Sequence, residues 1–285
     1  MKIIRTVSAL RQEVAMARAA GNRVGLVPTM GAFHDGHLSL MRRARERCGF
    51  VVVSLFVNPT QFNEQADLDR YPRDERRDAA MAESVGVDVL FAPPVDEVYG
   101  DGFATTVEVS GVSEPLEGAM RGTAHFRGVA TVVAKLFNMA QPDDAFFGQK
   151  DAQQALLIRR MARDLDFPVY VEVCPTVREG DGLAMSSRNA LLDPVSRQRA
   201  TALSRALFAI ERAVASGERD AERALGAGRE ILAAGGIEPE YLAAVDADSL
   251  ASVKTITGET LIPIAARVGS VRLIDNVTVR PEPAA

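Results

Sequence analysis

Cysteine is scarce in this chain, which has only Cys48 and Cys174 among its 285 residues. The two are far apart in sequence, and neither belongs to a CxxC motif or to a cluster with metal-ligand spacing. A disulfide framework and a cysteine-based zinc site are therefore both disfavoured. Two reduced, mostly buried thiols fit this usage better, and they suit a reducing cytoplasm.

Long apolar runs are also missing. The apolar run at residues 50–57 is too short to cross a bilayer. The first 21 residues lack the continuous apolar segment of a signal peptide and instead predict a short strand followed by a helix. We therefore predict a cytoplasmic protein that has no membrane partner.

An excess of positive charge is absent as well, because the formal net charge is −5. Broad binding to nucleic acid needs Lys and Arg concentrated on one face, so we expect no nucleic-acid partner. Small anionic ligands remain compatible with this charge, since a few basic side chains can focus a positive potential in a cleft. The proportions of hydrophobic residues (47%) and charged residues (25%) are those of an ordinary globular protein.

The order of the predicted elements indicates two domains. β-rich runs alternate with helical patterns up to about residue 175, which is typical of βαβ units around a parallel sheet. Residues 194–234 are then helical with a break at Ser216-Gly217, and β-like runs follow at 241–245, 261–268 and 271–274. We predict an α/β fold with a Rossmann-like parallel-sheet domain at 1–176 and a smaller α+β domain at 177–285.

The segment PTMGAFHDGH, residues 28–37, carries the strongest chemical signal. It follows a predicted strand and enters a helix that begins near His34 to Leu38, and a helix start favours phosphate. Gly31 and Gly36 allow the backbone to approach a ligand. His34 and His37 are three positions apart and can donate hydrogen bonds to a phosphate that is gaining charge. The alternatives are that one histidine caps the turn while the other packs, or that the pair binds zinc with a third ligand.

Two further segments contain groups suited to a triphosphate. MSSRN, residues 185–189, places two hydroxyls beside Arg188, which can pair with phosphate oxygens in a bidentate manner. FFGQKDAQQ, residues 146–154, lies where a strand meets a helix, and there Lys150 can neutralise a phosphate. Asp151 could cap the helix, bind a ribose or assist a metal ion. Taken alone, each segment also fits an ordinary helix start.

Three segments give weaker signals. NPTQF, residues 58–62, follows an apolar strand, and Gln61 could hold a hydroxyl or a carboxylate, although the motif taken alone favours a plain Asn-Pro turn. RGTAHFRGV, residues 121–129, predicts a basic loop that could act as a mobile anion-binding lid. The charge run RDERRD, residues 73–78, predicts a solvated helix face.

The motifs together resemble a known family. HxGH followed by Met-Ser-Ser-Arg is similar to the HIGH/KMSKS pair of the nucleotidyl-transferring superfamily. PTMGAFHDGHLSL, SLFVNPTQFN, FFGQKDAQQ and PTVREGDGLAMSSRN resemble the pantoate–β-alanine ligase (pantothenate synthetase) family in order and spacing, over residues 22–195. The resemblance implies an ATP- and pantoate-binding Rossmann-like domain and a C-terminal domain that we expect to act as a lid.

The resemblance also implies a reaction. Pantoate attacks the α-phosphate of ATP to give pantoyl adenylate and pyrophosphate, and β-alanine then displaces AMP to give pantothenate. It implies Mg²⁺ as a cofactor, with ligands that the sequence does not identify, and a homodimer. His37 matches the proton donor, and His34, Lys150, Ser186, Ser187 and Arg188 are expected to share in catalysis. The positions that match ATP-binding residues are Met30, His34, His37, Gly148, Lys150, Asp151, Val177, Met185, Ser186, Ser187 and Arg188, while Gln61 and Gln154 match the pantoate-holding glutamines.

Two positions depart from the family pattern. The family loop reads RPGHFRGV, whereas here Arg121 and His125 are four positions apart and the proline is missing, so we assign neither residue a role. Gln149 stands where many members have Glu and also receives none. The competing functions are a cytidylyl- or adenylyltransferase acting on a phosphorylated substrate, a tRNA synthetase, which the acidic balance disfavours, and a nucleotide-binding protein without turnover.

Overall fold

The computed structural model describes residues 1–62 and 65–281 and divides into two compact units. Unit 1 comprises Met1–Gln149 and Gln153–Pro175, and unit 2 comprises Lys150–Ala152 and the chain from Thr176 onward. Residues 282–285 of the second predicted domain lie outside the described residues, as does Asn63 of the SLFVNPTQFN motif. No helix in the described ranges has the length and apolar character needed to cross a bilayer.

Unit 1 alternates strands with helices. Its strands are β1 (Lys2–Ile4), β2 (Val24–Thr29), β3 (Phe50–Leu55), β4 (Val89–Phe91), β5 (Asp144–Gly148) and β6 (Tyr170–Cys174). Its helices are α1 (Val7–Ala19), α2 (Asp35–Arg47), α3 (Gln65–Arg70), α4 (Glu75–Ser84), α5 (Val95–Val98), α6 (Glu117–Arg121), α7 (Thr123–Ala140) and α8, which begins at Ala152 of unit 2 and continues to Asp164. Short 3₁₀ helices lie at Pro59–Gln61 and Gln149–Asp151.

The six strands form one parallel sheet in the order β1-β4-β3-β2-β5-β6. The inner strands are buried almost throughout, as expected when helices cover both faces. The chain runs outward from β2 to β3 on one side and later adds β5 and β6 on the other. The strand order therefore reverses between β2 and β5, and open α/β sheets bind their ligands at the carboxyl ends of strands beside such a reversal.

The segment at 121–129 contradicts the loop predicted from the sequence. Arg121 ends α6, Gly122 follows with a φ of +82°, and α7 begins at Thr123, so His125 lies in the first turn of a long helix. The predicted mobile lid at these residues is wrong. A glycine that accepts a left-handed conformation lets one helix follow another without a loop, and the polar composition concealed this.

Unit 2 has helices followed by an antiparallel sheet. It contains a 3₁₀ helix at Ser187–Leu191, the helices α9 (Pro194–Ala215) and α10 (Ala221–Ala234), and the strands β7 (Pro239–Leu242), β8 (Val245–Asp246), β9 (Thr260–Val268) and β10 (Val271–Val279). Asp193 and Asp220 cap the two long helices by accepting backbone N–H bonds. β9 pairs with β10, β7 and β8, and Leu203, Leu207 and Ile264 are among the residues of the core between helices and sheet. The predicted fold class, a Rossmann-like parallel-sheet domain with a smaller α+β domain, is confirmed.

Candidate functional site

The carboxyl ends of three neighbouring strands of unit 1 lead directly into predicted site residues. Met30 follows β2, Asn58 lies three residues beyond β3, and Gly148 ends β5. Because β3, β2 and β5 are adjacent and parallel, these three chain segments leave the sheet at the same edge. The edge includes the reversal between β2 and β5, where ligands are expected.

His34 and His37 form the cap of α2. His34 is the N-cap residue, and its Nδ1 accepts a hydrogen bond from the Gly36 N–H over 3.1 Å. The Nδ1 of His37 accepts from the His34 N–H over 3.4 Å. Each ring therefore accepts a backbone hydrogen bond at the start of α2, in the reciprocal arrangement of a capping box. The ring centroids are 4.2 Å apart, and both side chains are half-buried. The predicted helix start at the HxGH motif is confirmed, and both histidines cap it.

The caps also determine the tautomer of both rings. A neutral imidazole that accepts at Nδ1 carries its proton on Nε2. Each ring is therefore a hydrogen-bond donor at Nε2, which lies at the far end of the ring from the backbone. Two donors of this kind at a helix N-terminus add to the dipole and favour a negatively charged ligand.

The turn before these histidines is held by Asp78. Its side chain, from α4, accepts hydrogen bonds from the Ala32 and Phe33 N–H groups, each 2.8 Å long. The turn has positive φ angles at Gly31 (+89°) and Ala32 (+53°), and a Cβ at position 31 would lie 2.6 Å from Cδ1 of Leu55. Asp78 is only 1% exposed, so the prediction that residues 73–78 form a solvated helix face is wrong at this position. A carboxylate that satisfies two buried donors stabilises this unusual turn.

Gln61 is oriented by Asn58, a residue for which the sequence predicts only a turn. Asn58 is fully buried, and its Nδ2 donates to Oε1 of Gln61 over 2.9 Å and to the Gly128 carbonyl over 3.1 Å. Since the carboxamide oxygen of Gln61 accepts from Asn58, the opposite atom of that group is the Nε2 donor. Asn58 also accepts from the Thr60 N–H, so the predicted Asn-Pro turn is present and the same side chain serves both purposes.

Tyr99 and His125 complete the support of Gln61. The Tyr99 hydroxyl donates to Oδ1 of Asn58 over 2.8 Å, and burial raises the pKa of this phenol above its ordinary value. Nδ1 of His125 lies 2.8 Å from the Gln61 carbonyl oxygen. α7 approaches closely because position 128 is glycine, where a Cβ would lie 2.3 Å from the Thr60 carbonyl oxygen. His125, to which the sequence assigned no role, thus contacts the backbone of a predicted pantoate-binding residue.

The end of β5 and the start of α8 hold the remaining predicted residues of unit 1. Gly148 is half-buried, and a Cβ at this position would meet no atom within 4 Å. Its φ is not positive, so neither backbone conformation nor packing within the chain requires glycine here. Gln154 is half-buried in the first turn of α8, whereas its neighbour Gln153 is buried and bonds the 112–117 segment through the Val112 and Pro115 carbonyls and the Glu117 N–H. The two adjacent glutamines therefore differ in burial.

Unit 2 contains the other predicted nucleotide-binding residues. The segment 185–188 follows a hairpin in which Arg178 pairs with Ala184, and Met185 N–H donates to the Val177 carbonyl over 3.0 Å. Ser186 caps the 3₁₀ helix by accepting from the Arg188 N–H. All four residues of the segment and Val177 are half-buried. Lys150 is half-buried and its Nζ is 3.5 Å from the exposed Asp151 carboxylate.

Within the described ranges, no three His, Cys, Asp or Glu side chains come close enough together to bind a metal ion. The zinc alternative for His34 and His37 therefore has no ligand set in the part of the chain that the structure describes. Mg²⁺ differs, because proteins usually bind it through one or two carboxylates together with substrate phosphates. Asp151, next to Lys150, is a carboxylate compatible with that mode.

Comparison with known proteins assigns the chain to a family. The family model described as pantoate-beta-alanine ligase matches residues 2–278. The pantothenate synthetase of Cereibacter sphaeroides is 54% identical over 277 residues, which covers 97% of this chain and 99% of that protein. The pantothenate synthetase of Moorella thermoacetica is 51% identical over 282 residues, covering 98% and 99%.

Solved structures agree. The crystal structure of pantothenate synthetase from Thermus thermophilus superposes with a TM-score of 0.93 at 48% identity and covers 99% of this chain and 100% of that one. The pantoate-beta-alanine ligase from Francisella tularensis, complexed with beta-gamma ATP and beta-alanine, gives a TM-score of 0.79 at 32% identity, with 97% of each chain covered.

Proposed function

The chain belongs to the pantoate–β-alanine ligase family and is a carbon–nitrogen bond-forming ligase, and we propose that it uses ATP to join (R)-pantoate to β-alanine through a pantoyl adenylate. The observation that carries the proposal is the reciprocal capping of His34 and His37, which makes two Nε2 donors at a helix start beside the strand-order reversal. The ATP and β-alanine complex of the Francisella tularensis relative supports ATP as the co-substrate.

In the first step, an oxygen of the pantoate carboxylate attacks the α-phosphorus of ATP. A P–O bond forms to pantoate while the bond between the α-phosphorus and the bridging oxygen breaks, and pyrophosphate leaves. Negative charge grows on the departing phosphates, and donors already in place stabilise it without reorganisation. We assign this role to His34 and His37 together with Lys150, Ser186, Ser187 and Arg188, with His37, at the position that matches the family's proton donor, donating a hydrogen bond from Nε2.

In the second step, the neutral amine of β-alanine attacks the acyl carbon of the adenylate. The C–N bond forms, the bond between the acyl carbon and the phosphate oxygen breaks so that AMP leaves, and the nitrogen releases its proton to solvent. Activation is necessary because a free carboxylate is a poor electrophile. Gln61 and Gln154 suit an anionic, hydroxylated acid, since their amides can orient it without adding a charge that would hinder its attack. The bond from Asn58 to Oε1 of Gln61 supports the proposal that Nε2 of Gln61 donates to pantoate.

The remaining assignments concern ATP and Mg²⁺. We assign Met30, Gly148, Asp151, Val177 and Met185 to the nucleotide, and the space beside Gly148 supports that residue's part in it. When bound, Mg²⁺ would neutralise charge on the triphosphate, and the exposed carboxylate of Asp151 is a group that could help to hold it there. The lid role of the C-terminal domain, the homodimer and the cytoplasmic location are proposals that follow from the family and the sequence.

The decisive experiment measures pyrophosphate release from the purified full chain with ATP and Mg²⁺, with and without pantoate and β-alanine. We expect no release without pantoate, about one equivalent per site with pantoate alone, and continuous release once β-alanine is added. Pantothenate and AMP should accumulate in equal amounts. Release that ignores pantoate would favour a nucleotidyltransferase for another substrate, and ATP binding without any release would favour a passive binder.

A further inference from the structure

Two adjacent polar residues of β10, Asp275 and Asn276, are buried in unit 2. They are 3% and 4% exposed, although their side chains carry a charge and an amide. Burial of such groups costs free energy unless hydrogen bonds compensate. The hydrogen-bond partners of these two side chains therefore indicate which segments of unit 2 they hold in place.

Asn276 holds the backbone of Lys150. Its Nδ2 donates to the Lys150 carbonyl oxygen over 2.9 Å, across 126 positions of sequence. Lys150 lies in the short 3₁₀ helix at Gln149–Asp151, where one hydrogen bond to the carbonyl restrains the peptide that joins Lys150 to Asp151. The direction of the Lys150 ammonium thus depends on an amide of the last strand.

Asp275 holds the hairpin that precedes segment 185–188. Its carboxylate accepts two bonds from the Arg178 guanidinium, of 2.6 and 3.0 Å. Arg178 also donates to the Gly182 carbonyl and to the Asn276 carbonyl, and its guanidinium lies 4.9 Å from the centroid of the Phe208 ring. A planar guanidinium with several simultaneous partners has one orientation, so the hairpin has one position relative to β10.

We propose that Asp275 and Asn276 are positioning residues for ATP, which hold segment 185–188 through Arg178 and Lys150 through its carbonyl. Consecutive residues of one strand thereby fix two segments whose side chains approach the same triphosphate. The inference rests on the proposed function, because it takes Lys150 and Arg188 to be phosphate-binding groups. Asp275 and Asn276 lie far along the chain from the other proposed ATP-binding residues, and in this proposal they contact no reacting atom.

Asn276→Ala in the full chain tests this most directly, and Asn276→Leu repeats the test with a side chain of similar size that has no hydrogen-bond donor. We expect both to raise the KM for ATP and lower the rate of pyrophosphate release by roughly tenfold, since small displacements of charged groups are costly. The KM for pantoate should stay within about twofold. Arg272→Ala is the matched control, because it removes a 2.6 Å ion pair with Glu240 from the same strand and should leave both constants unchanged.

A double-mutant cycle with Lys150→Ala separates positioning from a general loss of stability. If Asn276 acts through Lys150, adding Asn276→Ala to Lys150→Ala should raise the KM for ATP by less than about twofold. Either of two results would overturn the positioning role and leave the proposed function standing. One is that the effects of the two substitutions on the KM for ATP are additive. The other is that Asn276→Ala leaves the KM for ATP unchanged while Lys150→Ala raises it. If Lys150→Ala and Arg188→Ala both leave ATP kinetics unchanged, the proposed assignment of these residues fails, and the inference fails with it. Thermal unfolding of each variant verifies that it is folded.

Discussion

Replacing Asp78 by asparagine should impair both the stability and the chemistry of the protein, although the residue lies in a run of charges. The carboxylate accepts two 2.8 Å bonds from the Ala32 and Phe33 N–H groups. Asparagine has the same shape but only one acceptor oxygen, so its amide N–H₂ would face one of those donors. A buried donor left without an acceptor costs about 1–3 kcal/mol, and we expect a loss of unfolding free energy of that size.

The effect on activity follows from the turn that Asp78 holds. Positions 31 and 32 have positive φ angles, so the turn relaxes when a restraint is removed, and His34 follows directly. We expect kcat for pyrophosphate release to fall by about tenfold or more, with little change in the KM for pantoate. Urea unfolding followed by circular dichroism gives the stability, and stopped-flow detection of pyrophosphate gives the rate.

Asp74→Ala provides the control on the same helix. Asp74 caps α4 by accepting the Arg77 N–H over 3.0 Å at an exposed site. Its loss should cost about 1 kcal/mol and leave the kinetics unchanged. If Asp78→Asn keeps wild-type kcat, or if both variants lose activity in proportion to their stability, the turn does not set the histidine geometry as we argue.

Three other predictions address the site and the core. His37→Ala should slow adenylate formation by about 10²–10³-fold, as expected for a lost transition-state donor, and a wild-type rate in rapid-quench measurements would contradict this. Gln61→Ala should weaken pantoate binding more than ATP binding, and isothermal titration giving the opposite order would refute the assignment. Burial raises the pKa of Cys48 to about 12 and that of Cys174 to about 11, whereas unfolded thiols titrate near about 8.5. Their contribution to stability is therefore complete below about pH 8.5 and is lost as the pH rises through the folded pKa values, so a double Cys→Ser variant should show a flatter decline in urea unfolding between about pH 9 and 11.

The regular elements of the fold could be predicted because local patterns determine them. The apolar run of β3 and the helical spacing in α2 follow from burial on one or both faces, and the HxGH motif marked the start of a helix. The groups at the sheet edge were likewise predictable, since they follow strands whose direction the βαβ pattern specifies.

The supports of the site could not be predicted in the same way. Asp78 looks like its exposed neighbours, and only a turn 46 positions earlier in the chain makes it a buried acceptor. Asn58 and Asn276 donate to the carbonyl groups of Gly128 and Lys150, which are 70 and 126 positions away in sequence, and no local pattern encodes such partners. A polar residue just after an apolar strand, such as Asn58, is a weak sequence signal of a buried hydrogen-bonding side chain. In 121–129, one glycine conformation changed a predicted loop into two consecutive helices.

Lys150–Ala152 belong to unit 2, so neither unit is encoded by one continuous stretch of the gene. This matters for recombination between related genes. A single crossover near codon 176 between two relatives would join Lys150 from one parent to Asn276 from the other. The Lys150 carbonyl and the Asn276 amide, which lie 2.9 Å apart, would then come from different parents. Any difference in backbone position between the parents would distort the hydrogen bond that joins them. Chimeras made by a second crossover, which carries codons 150–152 along with the C-terminal half, should therefore retain more activity than single-crossover chimeras from the same pair of parents.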